Sequence, residues 1–211
     1  MAINASNEGG SSNFAPVPAG THVARCYQMI ELGTVTEPYM GEMKTAKKVR
    51  LSWELPLELK GFKQGEVERP FVISKDFTLS LHEKATLRKF LESWRGKNFT
   101  DDEAKSFDIT KLLGVACMVS VINETKDQKT YGKLTNVSTL AKGMVCPPAI
   151  NKQVVLSYDM FDFETFNILP KFIKEKMEKT PEFAKIADKY HAYEFEKSQI
   201  AQEEPEKDLP F

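Results

Sequence analysis

The segment from Lys44 to Leu55 constrains the fold most, because its polarity alternates residue by residue. Val49, Leu51, Trp53 and Leu55 fall on one parity, and Lys48, Arg50, Ser52 and Glu54 on the other. Successive side chains of a strand point to opposite faces, so this is a strand with one apolar and one polar side. Its apolar side must be buried against more sheet or a helix, and both flanks supply candidates. Gly20 to Gly33 sets Ala24 and Cys26 against Arg25 and Tyr27, and Phe71 to Leu79 puts Phe71, Ile73, Lys75, Phe77 and Leu79 on one face. A loop with Pro38, Tyr39 and Gly41 separates the first two strands, and Pro56, Gly61 and Gly65 mark the second connection.

The period then lengthens. From His82 to Trp94, Ala85, Leu87, Phe90, Leu91 and Trp94 recur at three- and four-residue intervals, and Gly96 can close the last turn. This predicts an amphipathic helix. Thr100 with Glu103 three residues later has the form of a capping box and predicts a shorter one. Val115 to Asn123 and Tyr131 to Leu140 return to β-rich composition across a charged hairpin carrying Lys126, Asp127, Gln128 and Lys129. Three strands, a helix and two strands is the order of the OB fold. The expected class is therefore mainly β with helices: a five-stranded OB-fold (Greek-key) barrel with a helix between strands three and four and a helical C-terminal extension.

Around this body the composition shifts. Residues 1–19 mix Gly, Ser and Asn with Pro16 and Pro18, and are expected to be a flexible lead-in to a domain spanning 20–145. Pro147 and Pro148 open an extension over 146–193, with helices expected near Phe163 to Met177 and Pro181 to Tyr190. In the second of these, Phe183, Ile186, Ala187 and Tyr190 form a stripe suited to packing on the barrel. Residues 194–211 are dense in Glu, Gln and Lys and are expected to form a disordered acidic tail. Charge divides the same way: 20 Lys and Arg against 17 Asp and Glu through residue 150, then 9 against 13. A mildly basic body with an acidic end fits a binder of polyanions whose tail faces other partners.

Much chemistry is excluded. The longest apolar run, Val115 to Ile122, already contains Ser120 and is far short of the ~20 residues of a membrane span. The polar start of the chain lacks the basic and apolar segments of a secretory signal, which predicts a cytoplasmic protein. Cys26, Cys117 and Cys146 are widely spaced and are expected to be reduced and mostly buried. His22, His82 and His191 belong to no metal-binding pattern, and no phosphate loop, dinucleotide loop or nucleophile elbow is present. Asp101, Asp102 and Glu103 are explained by the dipole of the helix they begin. Asp159, Asp162 and Glu164 are expected to be solvated carboxylates. No metal, no cofactor and no enzymatic activity are expected.

Binding chemistry is better represented. Lys44, Lys47, Lys48 and Arg50 bring four cations into seven residues, and Lys44, Lys48 and Arg50 share a strand face that could follow a phosphate backbone. The competing interpretation of that face is an ordinary wet side of a sheet. Single-strand binding needs cations for phosphates and exposed rings for bases. Arg25 and Tyr27, Lys75 and Phe77, and Lys126, Lys129, Tyr131 and Lys133 interleave the two, with Tyr39 placed to clamp from an edge. Trp53, Trp94 and Phe90 are expected in the core, whereas Phe77 could serve either purpose. The chain closes with Asp208-Leu209-Pro210-Phe211 after Glu203, Glu204 and Glu206, an apolar tip suited to a partner's pocket.

That ending resembles the C-terminal tip of bacterial and phage single-stranded DNA-binding proteins, which are acidic and then apolar. The body resembles phage single-stranded DNA-binding proteins with an OB fold. The likeness runs through Gly20-Thr21-His22-Val23-Ala24-Arg25-Cys26-Tyr27, Lys48 to Pro56, and Thr78 to Ala85 continuing to Leu91 through Lys97. It covers about residues 14–140 and the tip. It implies coating of single-stranded DNA in phage replication, recombination or repair, in the bacterial host's cytoplasm, with replication or recombination proteins recruited by Asp208, Leu209, Pro210 and Phe211. Lys207 interrupts the acidic run, which departs from the family's usual tail. Two other functions remain open: an OB-fold adaptor for protein partners, and a recombination protein that anneals strands and also binds duplex.

Overall fold

The computed structural model describes residues 15–61 and 67–203. It is mainly β, with an open antiparallel sheet ordered β3-β2-β1-β4-β5: β1 Gly20–Tyr39, β2 Glu42–Lys60, β3 Arg69–Thr78, β4 Ala116–Lys126 and β5 Lys129–Ser138. A short strand, β6 Val154–Leu156, runs parallel to β1. Between β3 and β4 lie α1 Thr86–Arg95 and α2 Asp101–Ser106. After β6 come α3 Phe163–Asn167, α4 Lys171–Glu178, α5 Pro181–Ala184 and α6 Ala187–Glu203. Among the described residues, no helix is long and apolar enough to cross a membrane.

Local rules account for the helix ends. Gly96 closes α1 in the left-handed region, at φ 69°, and donates its N–H to Glu92 O. At α2 the capping box forms: the Thr100 hydroxyl accepts from Glu103 N at 3.1 Å and Glu103 Oε2 accepts from Thr100 N at 3.1 Å.

β1 is 20 residues long because it serves two cores. Its register against β2 shifts at Cys26/Gln28 and again at Glu31/Gly33; before the first shift its residues 20–25 pair with β4, and between the two shifts Gln28, Met29 and Ile30 pair with β6. Gly33 sits at φ 86°, and a Cβ there would lie 2.8 Å from Thr180 Oγ1, so glycine is required by conformation and by space. The first core gathers Cys26, Met29, Leu51, Trp53, Phe77 and Leu91 under α1, with the Trp53 and Trp94 rings 5.7 Å apart. The second gathers Ile30, Leu32, Leu156, Phe166, Ile173 and Phe183 beneath the extension.

Several expectations change here. Val17, expected in a flexible lead-in, is buried in the first core. The first loop is a tight turn at Met40 and Gly41, since β1 continues to Tyr39. The helix expected over Phe163 to Met177 is two helices, interrupted before Pro170, whose ring cannot continue the hydrogen-bond ladder. The stretch expected to be disordered from Glu194 is helical through Glu203. The polar side of β2 is also covered: Ser52 is 1% and Glu54 0% exposed. The Glu54 carboxylate accepts from Ile150 N at 3.1 Å and from both Asn151 N and Asn151 Nδ2 at 2.7 Å. Three donors to one buried carboxylate fasten the start of the extension to the sheet.

Candidate nucleic-acid interface

The β1–β2 hairpin ends in a projecting arm. Met40 and Gly41 both take positive φ, 51° and 84°, the geometry of a two-residue hairpin turn. Tyr39, Met40 and Met43 are all exposed on this arm, and Lys44 Nζ stands 4.6 Å from the centre of the Tyr39 ring. A cation held beside a solvent-facing ring is the pairing that a stacked base and its phosphate require.

Beneath the arm is a cleft of about 840 Å³ lined by Tyr39, Lys44, Lys48, Lys75, Phe77 and also His82 and Lys84. Lys75 lies at its floor. Its ammonium is 5.0 Å from the Phe90 ring centre and donates to Leu134 O at 3.1 Å. Burial first, and Lys133 second, hold its pKa below the ordinary lysine value. Phe77 lies behind it, 2% exposed and edge-on to Phe90 at 5.0 Å, so it belongs to the core and offers no face for stacking.

Three other predicted residues, Arg25, Tyr27 and Arg50, do not line this cleft. Arg25 donates from Nη1 to Gly114 O at 2.6 Å and from Nη2 to Pro147 O at 2.9 Å, clamping the turn before β4 to the extension. Tyr27 is half-buried, and burial, followed by the Glu54 carboxylate, pushes its phenol pKa up. Arg50 pairs with Asp76 at 2.6 Å while its guanidinium packs over the Phe172 ring at 5.4 Å.

The face expected to follow phosphates is therefore largely an internal interface with α4. Lys176, on α4, contacts Glu37 at 2.6 Å and Asp76 at 3.0 Å, and Lys48 reaches Glu37 at 3.4 Å. Lys47 points to the other side and pairs with Glu31 at 2.9 Å. Of the four clustered cations, Lys44 and Lys47 are exposed, Lys44 beside the Tyr39 ring and Lys47 paired with Glu31.

A second arm is formed by β4 and β5. Its turn, Asp127 and Gln128, has φ 51° and 63°. Lys126, Lys129 and Lys133 are exposed, as is Tyr131, and Lys133 pairs with Glu124 at 2.6 Å. Gly20 pairs with Val121 while Tyr39 pairs with Glu42, so the two arms leave β1 at opposite ends. Lys75 lines the first cleft and reaches Leu134 O in β5, the strand that returns from the second arm.

The structure brings Tyr39, Lys44, Lys48 and Lys75, named separately from the sequence, to one cleft, which His82 and Lys84 also line; Lys176 and Phe172, beyond it on α4, were not named. Lys84 and His82 could have been found as the polar lead-in to α1. Lys176 is 100 residues from Asp76 and leaves no local signal. The predicted tip, Asp208, Leu209, Pro210 and Phe211, lies outside the described residues. Among the described residues, no group of three or more His, Cys, Asp or Glu is arranged to hold a metal ion.

The cysteines converge despite their spacing. Cys117 and Cys146 direct their thiols at the same acceptor, Ala24 O, at 3.6 and 3.8 Å. Burial pushes the Cys26 thiol up to about 12 and that of Cys117 higher still. No known protein family matches the chain, and no curated protein matches it.

Proposed function

We propose that the chain is a non-enzymatic single-stranded DNA-binding protein, built on a partly open OB barrel, that takes the strand into the cleft beneath the β1–β2 arm. The carrying observation is the exposed pair Tyr39 and Lys44 above a cleft floored by Lys75. The strand order supports the OB assignment, because β3 and β5 end the sheet and approach each other through the Lys75 to Leu134 bond. In OB folds the face of strands 2 and 3, flanked by the loops after strands 1 and 4, is where oligonucleotides lie. The two arms, each with an exposed tyrosine and exposed lysines, occupy those loop positions. Lys and ring contacts of this kind read backbone and base faces, so binding is largely independent of sequence.

The work proposed for such a protein is coating and protecting single strands during phage replication or recombination. On the strength of the sequence alone, Asp208 to Phe211 would recruit replication or repair partners. The test is anisotropy of a labelled oligo-dT of about 30 nucleotides across salt concentrations, with duplex as competitor. Salt-sensitive binding, poorly competed by duplex, is expected; Tyr39→Ala should weaken it about 5- to 100-fold, and Lys44→Glu should flatten the salt slope by about one. Absence of binding at low salt sinks the proposal, and equal competition by duplex favours a strand-annealing protein instead.

A further inference from the structure

A second cleft of about 580 Å³ lies between the β1–β2 arm and α4, walled by Thr34, Thr36, Thr45, Phe172, Lys176 and Lys179. It shares Glu37 and Thr45 with the first cleft, so those two residues form the ridge between them. We infer that the strand held beneath the arm continues over this ridge into the second cleft, where Phe172 is a further stacking platform and Lys179 a further phosphate contact. The inference rests on the single-strand function proposed above.

Three observations support it. Phe172 is 58% exposed although it sits on a helix packed against the sheet, and Arg50 steadies the ring at 5.4 Å. An exposed ring with a fixed cation against it is preorganised for a base, because little freedom remains to be lost on stacking. The ridge carries little net repulsion for phosphate: the Glu37 carboxylate is paired with Lys176 at 2.6 Å and Lys48 at 3.4 Å. The remaining carboxylate on the wall, Glu175, is paired with Lys171 at 3.6 Å. The Thr34 hydroxyl already donates to Glu182, while Thr36 and Thr45 bond each other at 2.7 Å, which leaves one hydroxyl of that pair to donate to a phosphate oxygen.

The lengths fit as well. OB-type sites hold about 4 to 16 nucleotides, and a strand crossing two adjoining clefts belongs in the upper part of that range.

The experiment compares oligo-dT of about 8 and about 24 nucleotides on the full-length protein, for wild type, Phe172→Ala and Lys179→Glu, with thermal melts of each. Phe172→Ala is expected to lower the ratio of long- to short-oligomer affinity about 5- to 100-fold and to shorten the footprint, with the melting temperature held. Lys179→Glu should lower the same ratio and reduce the salt slope for the long oligomer only. If both variants keep the wild-type ratio while Tyr39→Ala weakens both lengths, the strand stops at the arm and the inference fails with the function intact. If Phe172→Ala lowers both affinities equally along with the melting temperature, Phe172 is structural and the inference also fails. A wild-type protein that binds neither oligomer overturns the function itself.

Discussion

Lys75 of β3 donates to the backbone carbonyl of Leu134 in β5 at 3.1 Å, bridging the two ends of the sheet. One ammonium thus fastens the open side of the first core while standing on the floor of the cleft. Its two roles separate by experiment. Lys75→Met keeps the aliphatic packing on Phe90 and removes a charge whose pKa burial already lowers. Lys75 by itself should add stability as pH rises from its lowered pKa toward about 10.4, because the unfolded chain then binds the extra proton, an increment that partly offsets the alkaline loss from the buried thiols. That gain should be absent from Lys75→Met in urea titrations over the alkaline range, while the variant's single-strand affinity falls and its salt slope drops by about one.

Lys176 offsets Glu37 and Asp76, the two carboxylates that line the first cleft. Lys176→Met leaves Glu37 with Lys48 alone and Asp76 with Arg50 alone, removing one positive charge from the wall, so single-strand binding should weaken, most at low salt. Adding Glu37→Gln and Asp76→Asn to that variant should restore binding. Weak binding that persists in the triple variant would show that Lys176 acts only by holding α4 in place.

Rings on the arm and rings in the core should separate by stability. Phe77→Ala opens a cavity beside Phe90 and is expected to cost about 3–5 kcal/mol by chemical denaturation. Tyr39→Ala, at 54% exposure, should stay within about 0.5 kcal/mol of wild type. A large loss for Tyr39→Ala would mean that its ring supports the fold.

The thiols offer an alkaline test. Cys26 and Cys117 keep their protons in the folded state well above the ordinary thiol range, so the unfolded chain loses protons first as pH rises. Stability should fall from about pH 8.5 upward, by as much as about 1.4 kcal/mol per pH unit for each thiol. Replacing both by Ala should flatten that part of the profile relative to wild type. In native protein, alkylation followed by mass spectrometry should mark half-buried Cys146 well before the other two.

The arrangement of strands was legible because parity is a local property: Val49, Leu51, Trp53 and Leu55 declare a face without reference to the rest of the chain. Gly96 and the Thr100 to Glu103 box marked helix ends for the same reason. The fate of the opposite face was not legible. A row such as Lys48, Arg50, Ser52 and Glu54 looks alike whether it meets water or a helix that answers its charges. The answering groups, Asn151 and Lys176, lie about a hundred residues further on. Phe77 misled for a related reason, since it shares a parity with Lys75 and only depth in the core separates them. β6 is three residues long, too short for any period to register. At the candidate site, Tyr39, Lys44, Lys48 and Lys75 were found by residue type, whereas Phe172 and the ridge at Glu37 exist only through tertiary packing.

Because β1 lines both hydrophobic clusters, neither can melt without stripping the other of a wall. The sheet and the helices behind it are one cooperative unit, and heat should dissolve them in a single transition. A truncation placed at the proline pair, Pro147 and Pro148, would not liberate a tidy minimal domain. It would expose Ile30 and Leu32 to water, leave Glu54 a buried anion without donors, and yield a fragment prone to clump.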